Sequence, residues 1–300
     1  MGHRDGAAAP TAWARIALVL TVSLQPLIVS CTSILPDQAG SLSSYASLEP
    51  SDGLLTSARV SVNEGEILSA RTVRISPTAV WAAAASAAGV SEPQARLIAN
   101  AVDRSLCTGL SRRFQIASAG QPADLSVRAF ITRIVPTDEI AAAASSVTSV
   151  GMTVVKATGV VTAAIPSLRI PIGLGGLALE AEALDRTGSQ KAAIIWARGA
   201  NSFSRPRASR AGDAYEFASA FGDDFSKLLV TGASPFKTLP SLPTMDGINA
   251  ALGGAPKESA CEAFGRGPGM PGLMGGVLGL PPELTDQGAP ESRGDGELNR

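Results

Sequence analysis

Histidine occurs once in this 300-residue sequence, as His3, and cysteine three times, as Cys31, Cys107 and Cys261. His3 precedes an uncharged apolar run at residues 16–30, in a stretch expected to be removed from the mature chain. A mature chain without imidazole has no Ser-His or Cys-His nucleophile pair, no histidine metal ligand and no histidine acid–base chemistry. Aromatic residues make up 4% of the sequence, too few for the stacking platforms that bind single-stranded nucleic acid. A surplus of charge is also lacking, with 25 Lys and Arg against 26 Asp and Glu. Without residues 1–30, which hold Arg4, Asp5 and Arg15, the net charge is −2. That balance offers no electrostatic attraction to nucleic acid or anionic lipid. No cofactor or metal-ligand set is expected.

What is present begins with IALVLTVSLQPLIVSC at residues 16–31, preceded by Arg4 and Arg15. The run is short for a membrane-spanning helix, which needs about 20 apolar residues. It suits the core of a secretory signal with a positive flank. Ile28-Val29-Ser30-Cys31 resembles the lipobox of bacterial lipoproteins, which implies a signal peptide at residues 1–30 and a diacylglyceryl group on Cys31. An uncleaved anchor helix is opposed by Pro26 and the short run; an ordinary soluble signal is opposed by the lack of a nearby Ala-x-Ala cut site. Thr32 follows in place of the aspartate that holds such lipoproteins at the inner membrane. The resemblance therefore implies an outer-membrane, periplasm-facing protein held through its lipid. With Cys31 acylated, Cys107 and Cys261 remain as a pair in an oxidising compartment, and a Cys107–Cys261 disulfide is expected. Pairing of Cys261 with another chain is the alternative.

Residues 31–57 read as a tether. Within it, GSLSSYASLEPSDGLL (residues 40–55) has two readings: a segment docked through Leu42, Tyr45 and Leu48, or a disordered spacer. Residues 58–231 read as an α+β domain. RTVRISPTAV alternates around Val73 and Ile75 as a strand interrupted by Pro77. Ser91-Glu92-Pro93-Gln94 is a capping box opening a helix to about Arg112, with Leu97, Ile98, Ala101, Val102, Leu106 and Leu110 on one side. Cys107 falls opposite that stripe and is expected exposed. Strands follow at residues 114–118 and at LSVRAFITRIV, residues 125–135. LALEAEALD and KAAIIWARG make a hairpin turned by Gly188. A second helix carries Ala214, Phe217, Ala218, Phe221, Phe225 and Leu228, with Asp223 and Asp224 on its polar face. The fold class expected is a two-layer α+β sandwich, with a mixed or antiparallel sheet of about four to five strands and both helices on one face.

Residues 140–170 form a long excursion, charged between 140 and 165 only at Lys156. It reads either as a flap packed on the sheet or as an apolar contact for bilayer or a neighbouring copy. Past Thr231, residues 232–300 are rich in Gly and Pro and read as a disordered tail, interrupted by Cys261 and Phe264.

Few features suggest catalysis. Ser234-Pro235-Phe236-Lys237 matches S-x-x-K but lacks the partner motifs of that enzyme class. Gly173-Leu174-Gly175-Gly176 opens no helix and is read as a strand lead-in. Glu180 and Glu182 share one strand face and are expected on the solvated side, as are Asp223 and Asp224 on their helix.

Taken in order, GSLSSYASLEP, RTVRISPTAVW, LALEAEALDRTGSQKAAIIWARG and SRAGDAYEFASAFGDDFSKLLVTG resemble the bacterial lipoprotein family known as domain of unknown function 3313, over roughly residues 40–232. The resemblance implies an envelope lipoprotein with no established activity, and it carries no catalytic residues. The order of elements is also similar to the periplasmic domains of curli-type secretion lipoproteins, which bears on fold alone. Expected function is thus a non-enzymatic binding or assembly subunit, with an unidentified envelope partner or self-association. The alternative is a periplasmic hydrolase working through carboxylates, which requires acidic residues converging in a pocket with raised pKa values.

Overall fold

The computed structural model describes residues 34–138, 173–201, 204–205, 207–236 and 244–290. The signal run, Cys31 and the 140–170 excursion lie outside the described residues. In chain order the elements are β1 (Glu49–Pro50), β2 (Ser57–Val62), α1 (Glu64–Ser69), β3 (Thr72–Ile75), β4 (Ala79–Val80), α2 (Ala82–Ala88), α3 (Glu92–Leu110) and β5 (Gln115–Ile116). There follow β6 (Leu125–Val135), β7 (Gly176–Asp185), β8 (Gln190–Gly199), α4 (Gly212–Thr231), α5 (Met245–Ala251) and α6 (Gly269–Leu278), with 3-10 turns at Ser259–Phe264 and Pro282–Leu284.

One mixed sheet of eight strands runs β1-β2-β8-β7-β6-β3-β5, with β4 also on β6. Pairing from β1 through β6 is antiparallel, while β3 and β4 lie parallel to β6. The sheet is larger than the four to five strands expected, because β1 and β4 are two-residue strands too short for any periodicity, while β5 lies within the strand expected at residues 114–118. SARVSV adds a further strand, β2, where the expected tether meets the domain. The β7–β8 hairpin closes as expected: Gly188 takes φ +81°, and the Asp185 carboxylate accepts from the Thr187 and Ser189 amides at 2.8 and 2.9 Å.

Helices α3 and α4 lie together on one face. The capping box is present at the start of α3, where the Gln94 side chain accepts from the Ser91 amide at 2.9 Å. The two helices meet through small residues. A Cβ added at Gly109 would come within 2.5 Å of Ser226 Cβ, and one at Gly222 within 2.5 Å of Ser105 Cβ. Such close approach leaves room for Leu106, Leu110, Phe221 and Phe225 to reach the sheet, where they are buried with Val127, Ile131, Leu179, Ile194 and Trp196. Trp196 meets Phe221 edge-on at 5.6 Å. In β6 the register slips between Ile131 and Arg133. That bulge moves Ile134 onto the core face and turns Arg133 to the opposite one, where it pairs with Asp37 at 2.7 Å.

Described segments on both sides of this body in the sequence, residues 34–48 and 244–290, fold back on it. Residues 34–48 cover the face of the sheet away from the helices, and Leu42 and Leu48 are buried there with Ala193 and Ile195. Of the tail expected to be disordered, residues 244–290 carry α5, α6 and both 3-10 turns. Its segment at Ser259–Phe264 packs on α3. Among the described residues no helix is long and apolar enough to cross a membrane.

Candidate functional site

Every second residue of β7 from Ala178 faces away from the helices, so Glu180 and Glu182 project from that outer side. The expectation that this face is solvated is corrected by the structure: both glutamates are 0% exposed. The covering comes from residues 39–45, about 140 positions earlier in the chain. Glu180 accepts from the Ala39 and Ser41 amides at 2.6 and 3.0 Å, from the Ser41 hydroxyl, and from the Tyr45 hydroxyl at 2.7 Å. Glu182 accepts from the Ser43 amide at 2.9 Å, the Ser43 hydroxyl at 3.1 Å and Gln190 Nε2 at 2.7 Å, and it forms an ion pair with Arg128. Burying a carboxylate is costly unless its lone pairs are used; here the chain's own donors occupy them. Burial and the bond to Glu180 push the Tyr45 phenol above its ordinary pKa. The pair of glutamates is a fastener, and the docked reading of residues 40–55 holds over the strap.

The opposite side of the molecule holds a groove of about 1210 Å³ between the outer surfaces of α3 and α4 and the C-terminal segment. Asp223, Asp224, Arg112, Arg198 and Lys227 line it together with Leu54, Phe236 and Leu273. Asp224 is half-buried, not solvated as expected, because its Oδ2 accepts from the buried Trp196 indole N–H at 2.9 Å. Burial, opposed by that bond and by Arg198, raises its pKa to about 6. Asp223 is open to solvent yet recessed in the groove, and desolvation raises its pKa too, against a bond from Ser105 Oγ at 3.3 Å. The sequence signal that was available is the adjacent Asp223-Asp224 pair beside buried aromatics. What it did not reveal was the second wall, which the tail supplies.

That wall is fixed at several points. Cys107 and Cys261 form a disulfide with a Cα–Cα distance of 5.8 Å. Cys107 is 1% exposed, which corrects the expectation of an exposed side chain: the tail lies over the flank of α3 that the helical wheel left polar. On the same flank, Asn100 Nδ2 donates to the Phe264 carbonyl at 2.8 Å. Arg104 forms a buried ion pair with Asp286, which also accepts from Tyr215. Lys257 Nζ donates to the Ser111 carbonyl at 3.0 Å. Burial and the neighbouring Asp286 raise the Tyr215 pKa.

Asp103, the remaining buried acid on α3, accepts from the Thr78 amide at 3.0 Å and the Thr78 hydroxyl at 2.6 Å, tying the β3–β4 bend to the helix. Burial outweighs those bonds and lifts its pKa to about 7. Asp124, by contrast, is held below the carboxylate range by the Arg71 and Thr72 amides. Ser234 of the S-x-x-K match is hydrogen-bonded to Ser51 at 2.6 Å, while Lys237 lies outside the described residues. Among the described residues, no three His, Cys, Asp or Glu side chains come together as a metal ion would require.

No curated protein matches this sequence. Among solved structures, the PelC dodecamer from Paraburkholderia phytofirmans is similar over 59% of this chain and 99% of its own, with 11% identity and a TM-score of 0.34. A point variant of that dodecamer is similar over 60% of this chain and 100% of its own, with 11% identity and a TM-score of 0.32. Residues 37–225, from the strap that Glu180 and Glu182 hold to the core-facing Phe225, match the family model described as Protein of unknown function (DUF3313), and the chain belongs to that family.

Proposed function

We propose that this chain is a lipid-anchored protein of the bacterial cell envelope that works by binding or assembly. Acylation of Cys31 ties it to the outer membrane facing the periplasm, and its partner is another envelope protein or a further copy of itself. One observation carries the non-enzymatic reading: Glu180 and Glu182, the most deeply buried acids of the sheet, have their oxygens taken up by the chain's own strap. Groups committed to holding the fold are not poised to exchange protons with a substrate. The lipobox resemblance at residues 28–31 supports the address.

Intact mass of the chain extracted from membranes tests the anchor. Diacylglyceryl-modified Cys31 at the amino terminus is the expected result, with loss of membrane partitioning on Cys31→Ser; an unmodified cysteine contradicts it. Purification from crosslinked membranes then tests assembly, and a stoichiometric partner is expected.

A second reading, a carboxylate-based hydrolase, is favoured by a specific observation. Asp223 and Asp224 lie together in the groove, and both have raised pKa values. It predicts a turnover that Asp223→Asn and Asp224→Asn abolish in protein that remains folded by far-ultraviolet circular dichroism.

A further inference from the structure

We propose that the outward face of α6 rests on the lipid bilayer to which the chain is anchored. This rests on the reading of Cys31 as acylated. Helix α6 has the sequence GMPGLMGGVL, and no charged residue occurs from Gly267 to Pro282. Met270, Met274, Val277 and Leu278 are 54–65% exposed, and Leu280 extends the same apolar surface. Contiguous apolar surface of this kind marks a contact site, and methionine adapts to irregular or fluid partners.

The position of this surface selects the bilayer as its occupant. The carboxyl end of α6 is held to the loop before α4: Arg207 Nη1 donates to the Gly276 carbonyl at 3.0 Å, and the Ala208 amide to the Gly279 carbonyl at 2.8 Å. That loop caps the end of the sheet where β6 stops and β7 begins, since the Thr137 amide donates to the Arg210 carbonyl at 3.0 Å. Ile34 packs at the same end, against Ala178, Ala197 and Val135. A Cβ at Gly176 would lie 2.0 Å from Ile34 Cδ1 and 2.9 Å from the Arg198 carbonyl oxygen, so Ile34 sits directly on the backbone at the start of β7. Cys31 is three residues before Ile34, and three extended residues span about 10 Å. Acyl chains on Cys31 are therefore confined to the end of the molecule where α6 is fastened. The anchor holds the membrane close to a ready-made apolar face.

The chemistry of the contact follows from the composition of the helix. Interfacial helices that seek anionic lipid carry Lys and Arg on their polar face. With no cation on α6, its attachment should depend on apolar burial and not on headgroup charge.

Depth-dependent quenching tests this on the full acylated chain in vesicles of phosphatidylethanolamine and phosphatidylglycerol with brominated acyl chains. Met274→Trp places a reporter on the face, and Gln121→Trp places one at the other end of β6, about 33 Å away along eleven residues. Each is read as the difference from the parent chain, whose Trp81 and Trp196 emission is common to both. At least twofold quenching of the reporter at position 274, with none at 121, is the expected result, and the same loss without phosphatidylglycerol. An unquenched reporter at 274, in protein whose mass shows the acyl chains, overturns the proposal and leaves the anchor standing. Blue-shifted, concentration-dependent emission without quenching also overturns it, because a second copy then covers the face. Protein whose mass lacks the acyl chains and that leaves the vesicles removes the anchor and this contact together.

Discussion

Residues 34–48 and residues 244–290 both return to the sheet-and-helix body, and they are attached in opposite ways. Residues 34–48 lie flat on the outer face of the sheet, bury Ile34, Leu42 and Leu48, and leave β7 and β8 covered on both sides. Buried carboxylates reach up from the sheet and take the strap's amide and hydroxyl hydrogens. Residues 244–290 are clipped at separated points by the disulfide, the Arg104–Asp286 pair and a few backbone bonds. A groove of about 1210 Å³ remains beneath them, and α6 turns apolar side chains outward. Dense polar fastening closes a surface, whereas sparse clips hold a segment in place while leaving both of its sides available.

The largest expected effect falls on the sparse side. Cys107 and Cys261 are 154 positions apart, so the chain-entropy model gives about 5 kcal/mol for the crosslink, an upper figure. Replacing both with alanine should open residues 244–290 to limited proteolysis while the far-ultraviolet spectrum of the body persists. Unchanged protease resistance would mean that the polar clips suffice.

Asp103 fastens α3 to the β3–β4 bend at the cost of a raised pKa. Its folded pKa of about 7 lies above the ordinary aspartate value of 3.8. Its contribution is therefore fully present below about pH 4 and is lost as pH rises through 7. At about 1.4 kcal/mol per unit, the change is roughly 4 kcal/mol at most. Asp224, at about 6, acts in the same direction. Urea denaturation between pH 4 and 8 should show stability falling with pH, with a flatter profile for Asp103→Asn.

On the dense side, Glu180→Ala strands the Ala39 and Ser41 amides and the Tyr45 hydroxyl, and should destabilise by about 3 kcal/mol. Glu180→Gln keeps one acceptor oxygen and should cost less. The smallest effect concerns the close packing of α3 on α4. Gly222→Ala forces a Cβ against Ser105 and should lower stability by about 1–3 kcal/mol. A neutral result in urea melts would mean that the helices separate easily.

Local features were the most legible in the sequence. The capping box at Ser91, the Gly188 hairpin and the alternation of β6 each rest on a few adjacent residues, and each is in place. The two straps were harder to read. Alternation in LALEAEAL separates two faces without saying whether the polar one meets water or another segment, and the segment over Glu180 comes from Ala39 and Ser41. The same limit applied to α3. The helical wheel put Cys107 on a polar flank, and only the partner Cys261 indicated that something covers it. Glycine and proline in the tail were read as absence of order, although disulfide closure and contacts to α3 hold residues 244–290 without a core of their own.

The most direct measurement is hydrogen exchange at the amides of Ala39, Ser41 and Ser43, in the wild type and in Glu180→Ala. Protection in the wild type, lost at Ala39 and Ser41 in the variant while β7 amides stay protected, is the predicted result. Exchange of these amides at unfolded-chain rates in the wild type would contradict the claim that Glu180 and Glu182 serve to fasten the strap.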